Sequence, residues 1–510
     1  MKKRLNILLF LVVSLTSALL LFYRLGKDTV TTDDTHFKNW SYVYMKEFEA
    51  GNYDALYVTV QPGVLTINTN IIGFKAYYFL RDRLGFFENQ TEMQRDLTLH
   101  TFSKVPKSIV ILVLLLVATL LVKRAFNFNA SLVFLTLMGL EPFVLGNSRV
   151  IQTDIIPAYL VFISALLYYL KGDEKSLYRY GTIGFLLGLS NIEKASSVIA
   201  LPIFLLIFVM NEKTLRRKVS SVLLFLVVFF FTMIAFFPAF WGNFSFTLWR
   251  IFVGSFIQGV KGLDAETFTY EVTRHIRPGY FYIRFLYNQL SEFVLVGLLI
   301  FLATIFKTNR ASRDTFLPKL KKYLPMLLIP IVFLIMFQLS NKKVERFMLF
   351  TFPFIILYAS IGYERLIRKA VWLYILLGFV LTLRLIQFTL IFPDFLIYRN
   401  PLSIDRTYNA RYLSWGIGYW KLSNYLQSEY GSGRTIHLGD YENLKLFYDG
   451  EVKNFDDSSC DDSFDLVVQT NEIPSNTCFS NKLLFDKEFK PYKNVVFYIY
   501  ESDNTSNNPI

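Results

Sequence analysis

Cysteine is almost absent from this chain, which has only Cys460 and Cys478 among its 510 residues. That scarcity excludes a metal site built on several cysteines and a scaffold held together by many disulfides. Charged residues are also scarce, at 18% of the chain, whereas apolar residues make up 53%. No internal repeat and no low-complexity tract is visible. The remaining composition is typical of a membrane protein.

The apolar residues occur in continuous blocks and not at amphipathic spacing. One helix needs about 20 apolar residues to cross a hydrocarbon layer roughly 30 Å thick. The blocks therefore predict about eleven membrane-spanning helices. They lie near residues 5–23, 107–122, 128–146, 154–170, 180–192, 195–210, 219–240, 290–306, 323–339, 347–363 and 370–392. The first block lacks a small-residue cleavage pattern after it, so we interpret it as a retained helix and not as a signal peptide.

The excess of basic residues predicts the orientation of the chain. The net charge is +13, and the Lys and Arg residues cluster in short connections between the apolar blocks. If the N-terminus is cytoplasmic, five basic connections also lie in the cytoplasm, as the positive-inside rule requires. They are residues 123–124, 171–179, 211–218, 307–322 and 364–369. Because the charge is explained by topology, we expect no nucleic-acid partner.

This orientation predicts two domains in a multi-pass protein of the cell (plasma or inner) membrane. Residues 1–394 form a transmembrane domain with external loops 24–106 and 241–289, and segment 62–80 is interpreted as an interfacial helix. Residues 395–510 form a small extracytoplasmic α/β domain, because strand-like runs alternate there with polar segments. The expected fold class is a polytopic α-helical membrane protein with a small C-terminal α/β domain.

Carboxylates after the first helix are the first candidates for a functional site. Asp33 and Asp34 are adjacent, and His36 follows them. A solvated loop would explain the pair without a function, whereas a matching cation or a proton-transfer role would explain it functionally. Together with His36 they also form a weak signature for a hard divalent cation, so the sequence leaves a metal undetermined.

Two further positions combine opposite charges at the predicted external face. Arg149 and Asp154 lie between the third and fourth blocks, where Asp154 could simply cap a helix. Lys194 follows Glu193 between two short apolar runs. An unpaired lysine is costly inside a membrane, so Lys194 either extends to the interface or takes part in a site.

Basic residues also occur on the external side, where the positive-inside rule predicts few of them. They are Arg274, Arg277, Lys342, Lys343 and Arg346. Anionic lipid headgroups would account for them, and so would a lipid substrate that carries a phosphate.

Short motifs in this order resemble the polyprenyl-phosphate-dependent glycosyltransferases of the GT-C superfold. The chain is most similar to family 39, the protein mannosyltransferase and aminoarabinose transferase group. The motifs are Asp33-Asp34, Gly51-Asn-Tyr53, Pro62-Gly63-Val64, Ser148-Arg149 with Asp154, Arg277-Pro-Gly-Tyr-Phe-Tyr282, Arg346-Phe-Met-Leu-Phe-Thr-Phe-Pro353 and Trp415-Gly-Ile-Gly-Tyr-Trp420. They extend over nearly the whole chain, although each one is short.

The resemblance implies a cell-envelope enzyme that transfers a sugar from a polyprenyl-phosphate donor to an external hydroxyl, with inversion at the anomeric carbon. The acceptor could be a protein, a lipid or a glycan. Asp33 is the first candidate for the general base and Asp34 the second. Asp154 and His36 could orient a partner, hold a metal or bind the acceptor. Candidates for binding the donor phosphate are Arg149, Lys194, Arg274, Arg277, Lys342, Lys343 and Arg346.

The chain departs from the family pattern at two places. Family members often have Asp-Glu at the position of Asp33-Asp34, which keeps a carboxylate. They often have His-Pro at the position of Gln61-Pro62, and here the change removes a potential ligand or proton carrier.

Two other functional classes remain open from the sequence. A flippase for lipid-linked sugars, or another secondary transporter, would place ionisable residues near the bilayer midplane and often shows repeated halves. Here the charged residues gather at one face. An inactive scaffold that presents the C-terminal domain is the other alternative.

The two cysteines are predicted to form a disulfide, because the orientation puts Cys460 and Cys478 in an oxidising compartment. The bridge would contribute about 3 kcal/mol by the chain-entropy argument. Two unpaired thiols in a small core are the alternative.

Overall fold

The computed structural model describes residues 2–59, 61–170, 177–257, 280–309, 316–340, 343–367, 369–404, 417–438, 441–454, 465–469, 483–492 and 495–502. Five of the predicted functional residues lie outside these ranges. They are Arg274, Arg277, Lys342, Cys460 and Cys478.

Helices form the first and larger part of the chain. In order they are α1 (Lys2–Phe22), α2 (Thr32–Glu49), α3 (Val64–Leu84), α4 (Glu92–Ala125), α5 (Phe128–Gly139), α6 (Pro142–Arg149), α7 (Ile155–Tyr169), α8 (Tyr178–Glu193), α9 (Ala200–Asn211), α10 (Leu215–Phe236), α11 (Ala239–Gly242) and α12 (Phe244–Trp249). The described order continues with α13 (Phe281–Gln289), α14 (Glu292–Asn309), α15 (Phe316–Leu339), α16 (Phe352–Leu366) and α17 (Ala370–Ile391). Short helical turns, Ala195–Ile199 and Glu345–Phe350, precede α9 and α16.

The predicted apolar blocks lie mainly in these helices. Within the described ranges, four helices (α1, α4, α10 and α17) are long and apolar enough to cross a membrane. Two bent pairs, α5 with α6 and α13 with α14, raise the number to six if each pair is one span. The fold is that of a multi-pass helical membrane protein, and the number of eleven crossings stays a prediction.

The centre of the bundle is built from helices that are apolar on every side. Nearly all residues of α5 and α7 are buried, including Leu132, Phe134 and Phe162. A helix that is hydrophobic all round requires such an environment. The outer helices α1 and α17 instead expose apolar residues such as Leu15 and Leu390, as expected for surfaces in contact with lipid.

The segment predicted as an interfacial helix forms α3 and packs against α2 and α4. Gly73 permits the close approach of α3 to α4, because a Cβ at this position would lie 2.2 Å from the carbonyl oxygen of Phe102. The polar side chain of Asn70 is buried, whereas Ile72 and Phe79 are exposed. α3 therefore buries polar as well as apolar side chains and leaves some apolar side chains exposed. Its position relative to a membrane stays a prediction.

The C-terminal part contains α18 (Tyr419–Tyr430), α19 (Tyr441–Lys445) and a five-stranded sheet in the order β2-β1-β3-β5-β4. The strands are β1 (Thr435–Leu438), β2 (Glu451–Asn454), β3 (Leu466–Gln469), β4 (Leu483–Tyr492) and β5 (Val495–Ser502). β1 pairs in parallel with β2 and β3, and β5 pairs antiparallel with β3 and β4. This mixed sheet with its helices confirms the small α/β unit in the predicted fold class.

The C-terminal unit contacts the loop that follows α1 through hydrogen bonds and a cation–π contact. The hydroxyl groups of Tyr492 and Thr29 donate to Asp394, at 2.6 and 2.7 Å. The guanidinium of Arg24 lies 5.5 Å from the ring centroid of Trp420. These contacts hold the loop that follows α1 against the sheet domain. The domain boundary between residues 394 and 395 remains a prediction from the sequence.

Candidate active site

Four charged side chains from distant parts of the chain meet in one group, which we call the outer charge cluster. Its members are Asp33, Asp154, Lys194 and Arg346. Asp33 lies in the first turn of α2, and Asp154 directly precedes α7. Lys194 follows the last residue of α8, and Arg346 belongs to the helical turn before α16. Helix ends therefore supply three of the four groups.

Arg346 connects the two carboxylates of the outer charge cluster. One of its terminal nitrogens forms an ion pair with Asp33, and its Nε lies 3.4 Å from Oδ2 of Asp154. The other oxygen of Asp154 pairs with Lys194. Both carboxylates also lie at helix N-termini, where the helix dipole favours negative charge. Two acids and two bases leave the cluster without net charge.

Exposure divides the outer charge cluster into an open and a closed half. The side chains of Asp33 and Arg346 are 28% and 17% exposed, whereas those of Asp154 and Lys194 are 1% and 3% exposed. A substrate could therefore contact Asp33 and Arg346 first. Lys194 is paired and buried, so it does not extend to an interface as the simpler interpretation suggested. Asp154 precedes α7 but makes no capping hydrogen bond through its side chain.

The protonation of Asp33 is governed by two opposing effects. Burial raises the pKa of the Asp33 carboxyl, but the charge and hydrogen bond of Arg346, with smaller effects of Lys194 and His36, together lower it by more. The net result is a pKa below the ordinary value of 3.8. Asp33 is therefore ionised at neutral pH while it is paired with Arg346.

A second group, the buried charge cluster, lies directly behind the first. It consists of Asp28, Asp34, Lys104 and Arg149. The Nζ atom of Lys104 lies 3.0 Å from Asp28 and 3.4 Å from Asp34, and the Nε atom of Arg149 lies 2.7 Å from Asp28. None of the four side chains is more than 2% exposed. Because these side chains do not contact solvent, a substrate cannot reach them.

Hydrogen bonds to the backbone explain why this group is structural. Asp34 accepts from the amide and hydroxyl of Thr31 at 2.8 and 2.6 Å, completing a capping box that starts α2. Its other oxygen accepts from the amide of Ile151 at 3.0 Å. Arg149 donates to the carbonyl oxygens of Leu20 and Tyr23, at 2.6 and 3.1 Å, and so ends α1. Asp34 and Arg149 thus face the scaffold and not the outer charge cluster.

Two other predicted residues within the described ranges, His36 and Lys343, are not members of the outer charge cluster, although the charge of His36 acts on Asp33. His36 is exposed and stacks on Trp40, with ring centroids 5.5 Å apart. Lys343 donates to the carbonyl oxygens of Phe337 and Ser340, at 3.3 and 2.7 Å, at the C-terminus of α15. The carboxylates of Asp33 and Asp34 bind different partners, so Asp33, Asp34 and His36 do not form the shared cation site that the sequence suggested. Within the described ranges, no group of three or more His, Cys, Asp and Glu residues could hold a metal ion.

Sequence reasoning missed two members of the buried charge cluster, Asp28 and Lys104. Lys104 shares one helix face with His100 and Lys107, and all three side chains are buried. This spacing of three and four residues just before an apolar block was a signal for a buried polar face. The position of Asp28 in a loop offered no comparable signal.

An apolar cavity of about 350 Å³ adjoins the outer charge cluster. Its lining includes Gln61, Lys194, Ile251, Phe256, Phe337 and Phe347. Lys194 is the single charged residue of this lining within the described ranges, and its Nζ lies 4.7 Å from the ring centroid of Phe347. The side-chain oxygen of Gln61 is buried there and accepts no hydrogen bond. The cavity is therefore largely apolar, with the cationic group of Lys194 in its wall.

Comparison with known proteins shows a similarity of fold over long stretches of chain. No protein-family profile matches the sequence, and no curated protein matches it. Among solved structures, the fold is similar to that of ArnT from Cupriavidus metallidurans bound to undecaprenyl phosphate. The TM-score is 0.51 at 11% identity, and the alignment covers 98% of this chain and 99% of ArnT.

A second solved structure is more distant. The oligosaccharyltransferase of Archaeoglobus fulgidus, tethered to an acceptor peptide, has a TM-score of 0.47 at 11% identity, with 92% of this chain and 69% of that chain covered. The likeness to ArnT confirms the predicted GT-C-like fold class. At this level of identity it shows the fold and leaves the activity to be argued from the site.

Proposed function

We propose that this chain is a membrane glycosyltransferase that moves a sugar from a polyprenyl-phosphate donor to a hydroxyl group of an external acceptor. The finer assignment to family 39, with inversion at the anomeric carbon, is part of the proposal and rests on the sequence motifs. Transfer would take place on the extracytoplasmic face of the cell membrane. The similar ArnT structure contains undecaprenyl phosphate, which is a lipid carrier of the proposed class.

One observation carries the proposal: an accessible carboxylate and an accessible cation lie next to an apolar cavity with a cationic wall. Asp33 and Arg346 provide the accessible pair, and Lys194 joins their cluster to the cavity. A polyprenyl phosphate has matching chemistry, because an apolar chain ends in an anion that carries the sugar. The phosphate would then meet Lys194 or Arg346 as the chain enters the cavity.

Arg346 would have two roles in succession. Without donor it pairs with Asp33, which holds the carboxylate in its ionised form. The donor phosphate would compete for the same guanidinium, since charge-assisted pairs with phosphate are strong. Loss of the Arg346 contact would leave the effect of burial dominant and raise the pKa of Asp33. The carboxylate would become a better base when the donor is bound.

The chemical step then balances with the groups at hand. The acceptor hydroxyl oxygen forms a bond to the anomeric carbon while the bond from that carbon to the phosphate oxygen breaks. Asp33 takes the hydroxyl proton, a contribution that is typically worth 10²–10⁴-fold. The polyprenyl phosphate leaves with the electron pair, and Arg346 and Lys194 stabilise its charge. Asp154 orients both cations in this scheme.

Purified protein in lipid vesicles provides the test. Labelled undecaprenyl-phosphate sugars are offered with isolated cell-envelope acceptors, and release of the sugar from the lipid is measured for the wild type and for Asp33→Asn. We expect release with the wild type and loss of release with the variant. Movement of the labelled lipid across the vesicle without any release would contradict the proposal and favour a flippase.

The orientation is tested separately by labelling single-cysteine variants from outside the cell. A probe at residue 440 should react, and one at residue 315 should be protected, because the basic connections predict these sides. The reverse pattern would overturn the proposed location of the active site.

A further inference from the structure

We propose a second binding site, for a neutral sugar residue, in a polar cavity between the end of α3 and the start of α4. The cavity has a volume of about 350 Å³. Its lining includes Tyr77 and Arg81 from α3, Phe87 and Gln90 from the connection, and Arg95 from α4. A cavity of this size falls within the range of small-molecule sites.

This cavity is separate from the outer charge cluster. The amide of Gly63, just before α3, donates to the carbonyl oxygen of Glu193 at 3.0 Å, so α3 starts beside Lys194. Tyr77 lies thirteen residues farther along the helix than Val64, which corresponds to about 20 Å at the rise of an α-helix. A ligand in the cavity therefore does not occupy the proposed transfer site, and the inference does not depend on the proposed function.

Buried polar atoms in the cavity point to a ligand. Tyr77 is fully buried and lines the cavity, and its hydroxyl interacts with the guanidinium of Arg81 but forms no well-oriented hydrogen bond. The side-chain oxygen of Gln90 is also buried without a partner, while its nitrogen donates to Thr98 at 2.8 Å and so fixes the amide. Native proteins rarely leave such atoms unsatisfied, and exceptions call for an explanation. A ligand with several hydroxyl groups would satisfy both.

The aromatic part of the wall is held in an unusual conformation. Phe87 has a φ of +66°, which a bulky residue adopts only when its surroundings require it. In this conformation its ring stacks on Tyr77, with centroids 5.9 Å apart. The strained residue and the buried phenol therefore form one preorganised surface beside the polar groups.

The charge balance favours a neutral ligand over an anion. Arg81 and Arg95 are offset by two acidic lining residues, Asp82 and Glu88, so the cavity has no net charge. The Nε atom of Arg81 already pairs with Asp82 at 2.7 Å. An anionic headgroup would have to displace that carboxylate, whereas sugar hydroxyl groups can bind to guanidinium, carboxylate and amide groups together.

The test uses the full chain in nanodiscs of phosphatidylcholine, because detergents with sugar headgroups would compete. Methyl glycosides of mannose, galactose, arabinose and N-acetylglucosamine are screened by saturation-transfer NMR, and affinities are measured by calorimetry. We expect binding of at least one glycoside, and inorganic phosphate should not displace it. Tyr77→Phe and Gln90→Ala should each weaken the affinity by about tenfold, the effect of losing about 1.4 kcal/mol.

Tyr78→Phe is the matched control, since it removes a neighbouring phenol hydroxyl on the same helix that does not line the cavity. It should bind the glycoside like the wild type, and so should Asp33→Asn, which separates this site from the proposed transfer. Binding of soluble glycosides would assign the site to an acceptor glycan. Binding of the same sugar only on polyprenyl phosphate would assign it to the donor. Failure of both, displacement of the glycoside by inorganic phosphate, or equal losses in Tyr77→Phe and Tyr78→Phe would overturn the proposal.

Discussion

The outer and buried charge clusters have the same composition, two aspartates with two basic side chains, but they differ in what surrounds them. In the buried charge cluster every side chain is at most 2% exposed and is bonded to the backbone or to another member. In the outer charge cluster Asp33 and Arg346 reach solvent. The neighbours Asp33 and Asp34 belong to different clusters because successive residues of a helix point about 100° apart. Exposure thus distinguishes the outer charge cluster, a candidate for catalysis, from the buried charge cluster, a candidate for stabilising the fold.

The largest expected effect is on catalysis at Asp33. Asp33→Asn keeps the shape and hydrogen bonding of the side chain but cannot take up a proton. We expect turnover to fall by roughly 10²–10⁴-fold with little change in thermal stability. Radiolabelled sugar transfer from polyprenyl phosphate measures the effect. Asp54→Asn, in the same connection between α1 and α3 and exposed, serves as the control. Wild-type transfer by Asp33→Asn would refute its role and direct attention to Asp154.

The next effect should appear in stability when the buried charge cluster is broken. Lys104→Met leaves Asp28 and Asp34 buried without their shared cation, which typically costs about 3–5 kcal/mol. Thermal unfolding of the purified protein should show a clear drop in midpoint. Lys75→Met is the control, because the ion pair of Lys75 with Glu49 is exposed and such pairs contribute about 0–1 kcal/mol. Equal losses in the two variants would mean that burial does not distinguish the clusters.

A smaller effect is expected for donor binding at Arg346. Arg346→Gln should weaken donor affinity or turnover by tenfold or more, about 1.4 kcal/mol, if the lipid phosphate pairs with this guanidinium. The same is predicted for Arg277, which lies outside the described residues. Neutralising Lys321 and Lys322, in a predicted cytoplasmic connection, should change neither quantity. A similar loss in both sets would indicate general lipid electrostatics in place of a phosphate site.

The smallest expected effect is a shift in pH dependence. Asp33 has a lowered pKa, so its ion pair stabilises the fold above the ordinary value of 3.8 and loses that contribution as the pH falls through the lowered pKa. In Arg346→Gln burial would dominate, and the pKa of Asp33 should rise. At low donor concentration, where the wild type keeps the pair of Asp33 with Arg346, the acidic limb of the transfer rate should therefore lie at higher pH in the variant than in the wild type. An unchanged limb would show that Asp33 and Arg346 are not coupled.

Much of the fold could be predicted because its signals are local. A continuous apolar block must form a helix in lipid, where each backbone polar group needs an internal partner. The strand-like runs at residues 435–438, 466–469 and 495–500 are also strands in the structure, because they are rich in residues that favour strands, mainly Val, Ile, Thr, Phe and Tyr. The bends within α5–α6 and α13–α14 were not predicted, since hydropathy reports length and not direction.

The candidate site was only partly predictable for a related reason. The sequence indicated Asp33, Asp154, Lys194 and Arg346 separately, each through an unusual charge beside an apolar block. It could not show that they meet, because Asp33 and Arg346 are separated by 313 positions in the chain. It also indicated Asp34 and Arg149 as site candidates like their neighbours, although Asp34 helps to start α2 and Arg149 helps to end α1.

Residue type and local order were enough to establish a helical membrane protein and its α/β tail, and to predict a set of charges worth testing. Which charged side chains pair, and which are exposed, depended on the tertiary structure. Both are set by which helix ends meet and how closely they pack. Two equal sets of charges thereby acquired different surroundings, one sealed against the backbone of α1 and α2 and the other open beside an apolar cavity. The pKa and reactivity of a carboxylate follow from such surroundings, which no spacing of residues along the chain specifies.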